Sequence, residues 1–382
     1  MKNRCGIYVA QPSKYRAFIP NPLPPQPPIV YGEELQFLLS NADRTLARLD
    51  GVTTVLPNPD LFITMCIKKE ALLSSQIEGT QASLEGVLEF EANLKPKEDI
   101  NEVKEVINYI KAMNYGIERI KEFPISLRLI KELHKVLIKG TRGAHRDPGE
   151  FRKTQNWIGP IGAFLKEAVF VPPPSNMVLE LMGDMEKFIH RKDNIPPLIK
   201  IALIHSQFET IHPFLDGNGR IGRLLITFYL YLEQILSKPL LYLSYYLKKK
   251  REKYYSFLMD VRLKGDWESW LKFFLQGVIE VSEEATNTAK EIIGLKEILT
   301  KKLFVGKITS IYAVSLLDML FHKPLISVND IINELNIYKQ TANDLIKKFE
   351  KIGILQEITG KQRYRKYLFS NYIEIIKRGT EI

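Results

Sequence analysis

The stretch IHPFLDGNGRIGRLL, residues 211–225, places a histidine, a carboxylate, a Gly-Asn-Gly run and two arginines within twelve positions. Each residue type suits one part of phosphate chemistry. Pro213 follows His212, and proline disfavours the α conformation in the residue before it, so the imidazole lies at or beyond a helix end. An imidazole titrating near neutrality can serve as a general base. Gly217, Asn218 and Gly219 tolerate positive φ, which lets successive backbone N–H groups converge into an anion-binding nest. The N-terminus of the next helix adds further N–H groups and a favourable dipole. Arg220 and Arg223 lie three apart and project near one another. At a helix N-terminus they oppose the dipole, a conflict that bound phosphate removes, because guanidinium forks match phosphate oxygens. Asp216 supplies a hard oxygen suited to Mg²⁺, which pairs one or two carboxylates with substrate phosphates. A Gly-Asn-Gly run alone is a common turn; the whole combination between two apolar segments reads as a polyphosphate cradle with a metal ligand and a base at its edge.

The elements that must position these groups are mostly helices. "PPLIKIALIHSQFETIHPF" is apolar on most faces, with Ile199, Ile201, Leu203, Ile204 and Phe208, which predicts a buried helix over 196–211. Helical spacing also predicts helices at 35–49, capped by Gly51, and from Asn58-Pro59-Asp60 to about Gly79. Further helices are expected from near Ser83, and over 101–122, 125–139, 176–191, 221–235, 250–264 and 267–290. Residues 20–28 hold six prolines in nine positions and read as an extended arm lying over the protein. Between 151 and 173 the pieces "QNWIG" and "AVFVP" flank a Gly/Pro turn, a hairpin signal. The last eighty or so residues look separate and read as helix, turn, helix, then two strands around "TGKQRYRK".

Composition sets bounds. The 382 residues carry a formal net charge of +10, with 45% hydrophobic residues, which favours anionic partners without choosing among them. No run approaches the roughly 18 apolar residues of a membrane span, and no signal-peptide core opens the chain, so the expectation is a cytoplasmic protein with no membrane partner. Cys5 and Cys66 form no framework, and no Cys/His spacing suggests structural zinc. His205 lies seven before His212; a metal pair is conceivable, with a satisfied core histidine as the default. His134, His145, His190 and His322 have no partner readable from the sequence.

With those residues in view, "HPFLDGNGRIGR" resembles the signature of the Fic (filamentation induced by cAMP) family, and matches it at every defined position. The resemblance takes in the proline arm, the 151–173 hairpin and the C-terminal tail. It is nearest to bacterial Fic protein adenylyltransferases with an N-terminal inhibitory helix. It implies a mainly α fold: a Fic-type helical core with a small β-hairpin flap, plus a C-terminal winged helix-turn-helix. The implied division is 1–110 for the arm and inhibitory region, 111–295 for the catalytic core and 296–382 for the winged helix. By resemblance, His212 is the base that takes a proton from a target Ser, Thr or Tyr hydroxyl, which then attacks the α-phosphorus of ATP. Asp216 holds Mg²⁺. Gly217, Asn218, Gly219, Arg220, Ile221, Gly222 and Arg223 bind the ATP phosphates, and Phe214 anchors the loop. Tyr254 and Tyr255 lie near the adenine. Gln155, Asn156, Trp157 and Ile158, with 169–171 opposite, form a flap that docks the target by strand addition.

"SSQIEGT" matches the family's inhibitory pattern through Ser74, Glu78 and Gly79. The spacing of four puts Ser74 and Glu78 on one helix face, where Glu78 can pair with Arg223 and misalign bound ATP. The expectation is thus an autoinhibited adenylyltransferase that modifies other proteins and itself, with a homodimer implied by the resemblance. The alternatives are a de-adenylylase, a transferase of another nucleotide, or a DNA-binding regulator whose Fic fold senses nucleotide. In the tail, Ile331, Ile332, Leu335, Leu345, Ile346, Phe349 and Leu355 form the expected small core. Lys361, Arg363, Arg365 and Lys366 make a basic wing. Residues 323–382 hold 11 Lys/Arg and 7 Asp/Glu, a modest excess that leaves DNA binding and protein docking both open.

Overall fold

The computed structural model describes residues 4–381 apart from 13, 57–58, 161 and 163, and only the backbone of Val55 and Leu61. A two-stranded antiparallel hairpin, β1 (Gly6–Ala10) and β2 (Arg16–Pro20), opens the chain. Ten helices follow: α1 (Glu33–Val55), α2 (Pro59–Ile77), α3 (Leu84–Glu91), α4 (Ile100–Ile120), α5 (Leu127–Leu137), α6 (Val178–His190), α7 (Pro197–Ile211), α8 (Asn218–Leu232), α9 (Ser244–Lys249) and α10 (Arg251–Lys264). The 39-residue α11 (Trp267–Val305) then leads into α12 (Ile311–His322), β3 (Leu325–Ser327), α13 (Val328–Leu335), α14 (Lys339–Lys351), β4 (Gln356–Glu357), β5 (Lys366–Leu368) and α15 (Ser370–Ile376).

Helix α7 is the axis of the core. Every residue from Leu198 to Ile211 is buried, and α8 returns antiparallel beside it. Close approach between α4 and α8 depends on Gly116. A Cβ there would sit 2.2 Å from the ring of Phe228, itself fully buried. Gly116→Ala is therefore expected to destabilise the fold by about 1–3 kcal/mol, since overpacking forces neighbours off their rotamers. A urea titration measures this; an unchanged midpoint would show that the two helices can part freely.

Several expectations on element bounds change. Gly51 does not cap α1; the helix runs on to Val55, because Gly51 is exposed and helix-tolerated at about 1 kcal/mol while Thr53 and Leu56 continue the buried stripe. α8 begins at Asn218 rather than 221. α11 reaches Val305 rather than 290, carried by Ile292, Leu299 and Leu303, and so passes unbroken through residue 295. α2 starts at Pro59; Asn58 lies outside the described residues. α3 is capped by Ser83, whose hydroxyl accepts from Gly86 N–H at 3.0 Å. The flap narrows to a single bridge, Ile158 with Phe170. Unforeseen, β2 lies against its base, with Phe18 N–H donating to Val171 O at 2.9 Å. The proline arm is held at Arg4, which donates to the carbonyls of Pro27 and Pro28 and pairs with Glu268 on α11.

At the C-terminus the sheet order is β3-β5-β4, packed with α13 and α14. Ile331, Leu345, Ile346, Phe349 and Leu355 are buried, with Ile332 and Leu335 half-buried at the edge. An aromatic cluster of Phe321, Phe369 and Tyr372, centroids 5.1–5.6 Å apart, closes this small core. Lys361, Arg363 and Arg365 are exposed. The tail after α15 returns to α2, where Gln76 donates to Thr380 O at 3.0 Å.

Candidate active site

α7 ends because Pro213 follows His212, and His212 itself turns left-handed, φ 51° and ψ 59°. Its N–H still caps the helix on Phe208 O at 2.9 Å. The ring faces a cavity of about 490 Å³ shared with Glu78, Gly219, Arg223, Tyr254 and Tyr255, with Trp157 and Ile158 of the flap opposite. That volume suits a small-molecule ligand. Burial, then the charges of Arg262 and Arg152, push the His212 imidazole down to about 3, so it is neutral at physiological pH.

The loop after His212 is stapled at both ends. Phe214 is fully buried and stacks on His134 at 3.8 Å, 12° between planes. Asn218 accepts from Phe214 N–H and donates to Phe214 O, both at 2.8 Å. Its side chain therefore closes the loop; Gly217 (φ 77°) spends its N–H on Asp216 Oδ1 at 2.6 Å, which leaves the start of α8 to present N–H groups. His134 Nδ1 accepts from Gly149 N–H at 2.9 Å, so the proton sits on Nε2, which donates to Asp216 O at 3.0 Å. The sequence offered no partner for His134; only the folded chain brings Phe214 and Asp216 to it.

Arg223 is buried and bonded to the end of α2 and the residue after it. Its Nε donates to Ser74 Oγ at 2.7 Å, and Nη2 donates to Ser74 O at 2.9 Å and Glu78 Oε1 at 2.7 Å. Glu78 sits over the nest: a Cβ on Gly219 would lie 2.2 Å from its Oε1. Burial raises the Glu78 carboxyl, but the charge and hydrogen bond of Arg223 outweigh it and hold the group below the ordinary carboxylate range. Gly79, at φ 96°, turns the chain out of α2. Arg220 points elsewhere, to Glu105 and Asp216, each at 3.4 Å, with its buried Nε unpartnered.

Asp216, Gly217, Asn218, Arg220, Ile221 and Gly222 do not line the cavity. Ile221 is core, and Gly222 packs where a Cβ would meet Glu209 at 2.6 Å. The Asp216 side chain is 40% exposed, and no group of three His, Cys, Asp or Glu able to hold a metal ion occurs among the described residues. One accessible carboxylate fits an Mg²⁺ ion that takes its other ligands from water and substrate phosphates, not an all-protein cage. Tyr254 is buried with its hydroxyl donating to His205 Nε2 at 2.8 Å, since His205 Nδ1–H is spent on Gly222 O at 3.1 Å. His205 is therefore a satisfied core histidine. In the flap, Gln155 and Asn156 turn inward, to Pro172 O and to the carbonyls of His212 and Phe214; Trp157 is 40% exposed. Sequence reasoning missed Arg152 and Glu209. Glu209 lines the cavity with Oε1 unpartnered, and burial pushes its carboxyl up to about 7.

A helical core presenting a glycine-rich loop between two buried helices, a flap across its mouth and an acid at the end of a preceding helix laid on Arg223 define a Fic-type protein with an appended winged helix. The chain belongs to the Fic/DOC family: the family's N-terminal region matches residues 37–118, its main domain 124–230, and an HTH DNA-binding domain 314–367. It is similar to the protein adenylyltransferase Fic of Drosophila grimshawi, 31% identical over 220 residues, 54% of this chain and 41% of that one. A probable protein adenylyltransferase of Aquifex aeolicus is 30% identical over 217 residues, 55% and 59% of the two chains. The match thus spans less than two thirds of either relative. A Fic family protein from Desulfovibrio desulfuricans G20 shares the fold over 90% of this chain and 98% of its own, TM-score 0.61 at 20% identity. Residues 134–508 of Fic-1 from C. elegans do so over 68% and 73%, TM-score 0.51 at 20% identity. Among the described residues no helix is long and apolar enough to cross a membrane.

Proposed function

We propose that this protein is an autoinhibited adenylyltransferase that moves AMP from ATP to Ser, Thr or Tyr hydroxyls of a target protein and of itself. The observation that carries the reading is the Glu78–Arg223 contact, 2.7 Å, on the same cavity as His212. His212 takes the hydroxyl proton, the hydroxyl oxygen bonds to the α-phosphorus, and the bond from that phosphorus to the bridging oxygen breaks to release pyrophosphate. Of the nest residues Gly219 lines the cavity, and its N–H with the others at the start of α8 would hold phosphate oxygens. Arg223, once freed, and Arg220 would add charge. Asp216 would hold Mg²⁺, which would offset phosphate charge. Glu78 competes for Arg223 and keeps ATP out of line. Tyr254 and Tyr255 shape the nucleoside end, and the target strand lies along the flap. Incubation with ATP and Mg²⁺ followed by mass spectrometry tests this: an AMP adduct on the protein is expected, and its absence from the Glu78→Gly variant as well would end the reading.

The reverse reaction uses the same groups, because the half-exposed Glu78 carboxylate can also position a water; release of AMP from pre-modified protein would favour it. A dimer, a cytoplasmic location and the division at 110 and 295 stay part of the proposal, with α4 shared across the first boundary and α11 across the second. For the tail, the match to an HTH DNA-binding domain and the exposed Lys361, Arg363 and Arg365 support DNA contact. Affinity for a DNA duplex should fall steeply with salt, log K declining by nearly one per phosphate contact for each decade of salt. A flat salt response, or no binding at low salt, would leave protein docking as the tail's role.

A further inference from the structure

Arg152 is buried, 2% exposed, and no hydrogen bond of its side chain ends on a carboxylate. A desolvated guanidinium without an anion is costly unless its donors are all used. Here they go to backbone carbonyls. Nη1 donates to Thr154 O at 3.2 Å and Nη2 to Pro173 O at 2.5 Å, one on each leg of the flap. Nη2 also reaches Ile211 O at 3.4 Å, and Nε donates to His212 O at 2.9 Å. The Arg152 backbone N–H donates to Pro213 O at 2.9 Å. Asn156 completes the set, its Nδ2 donating to His212 O at 3.3 Å and Phe214 O at 2.9 Å. All four carbonyls from 211 to 214 are therefore held from the flap's first leg. His212 is also one of the few non-glycine residues in the left-handed region, a conformation that persists only where its surroundings over-determine it.

We propose that Arg152, with Asn156, is the positioning residue of the base: it seats the His212 backbone and ties the flap rigidly to it. A target strand laid on the flap is thereby brought into register with the imidazole. The inference rests on the reading of His212 as general base. Arg152 carries a second consequence. The charged and titratable groups around His212 are Arg262 from α10, Arg152 from the flap base and Glu78 just past α2, with Glu209 of α7 and Arg223 of α8 on the same cavity; Arg262 and Arg152 favour the neutral imidazole.

The test uses the full chain carrying Glu78→Gly, with AMP transfer, ATP affinity and thermal unfolding measured together. Arg152→Lys keeps the charge but loses the fork. Its kcat should fall by roughly 10²-fold, the scale of a 1 Å misplacement, with KM for ATP unchanged and the acid limb of the pH profile in place. Arg152→Gln keeps two donors but loses the charge, and should in addition move the acid limb to higher pH. Asn156→Leu should lower kcat as Arg152→Lys does, and decides the matter if the arginine variants fail to fold. Parental kcat in the folded variants, or equal losses in ATP affinity and kcat, would overturn the positioning role. If the Glu78→Gly parent itself transfers no AMP, the reading of the reaction fails and takes this inference with it.

Discussion

Replacing His212 by alanine lowers AMP transfer by a factor on the order of 10²–10⁴, the usual contribution of a positioned base, while ATP affinity stays nearly unchanged. Two features separate the effects. The phosphate-holding N–H groups belong to the backbone at the start of α8, not to the imidazole. The backbone at 212 is held by its own N–H on Phe208 and by donors from Arg152 and Asn156, none of which the substitution removes. Histidine and alanine both carry the Cβ cost of the left-handed region, about 1–2 kcal/mol, so the substitution should leave fold and thermal stability nearly unchanged. Isothermal titration with ATP and Mg²⁺, alongside incorporation of labelled AMP, checks both halves. Undiminished transfer in a folded variant would remove His212 from the chemistry.

The second large effect has the opposite sign. Glu78→Gly should raise auto- and target modification by roughly 10²-fold, because the γ-phosphate regains Arg223 and the α-phosphate returns to line with the attacking oxygen. Ser74 would still hold Nε and one Nη of Arg223, so the guanidinium stays near the nest instead of swinging into solvent. Glu78 lies just beyond the last residue of α2, where glycine costs the helix little. Acid should not mimic the mutation near neutrality. A carboxyl held below its ordinary value keeps its ion pair above the ordinary carboxylate range, and loses it only as pH falls through the lowered value. Wild-type transfer should therefore stay low from about pH 8 down to 5, the range above carboxylate titration. Labelling of wild type equal to that of the variant would show that the Glu78 contact does not restrain the enzyme.

The loop at 212–223 was legible because its information is local. Histidine before proline, glycines able to take positive φ, and arginines one turn apart each constrain their neighbours within a few bonds. The 2.7 Å contact between Glu78 and Arg223 spans 145 positions, yet was foreseen, because a motif marked each end and the family resemblance joined them. Helix existence was likewise readable from apolar spacing. Helix ends were not: Gly51 and residue 290 look like stops, but buried stripes at Thr53 and at Ile292 to Leu303 carry the helices past them.

By itself the amino-acid sequence determined the helical class, the Gly-Asn-Gly loop with His212 and two arginines between buried helices, and the winged-helix tail, because periodicity and short motifs act through nearest neighbours. Only the tertiary structure decided what holds those parts in place. The Arg152 and Asn156 donors at 211–214, His134 beneath Phe214, β2 against the flap base and the tail against Gln76 all join distant segments. None announces itself locally, since a buried donor finds its carbonyl only once packing has excluded water and left it no other partner.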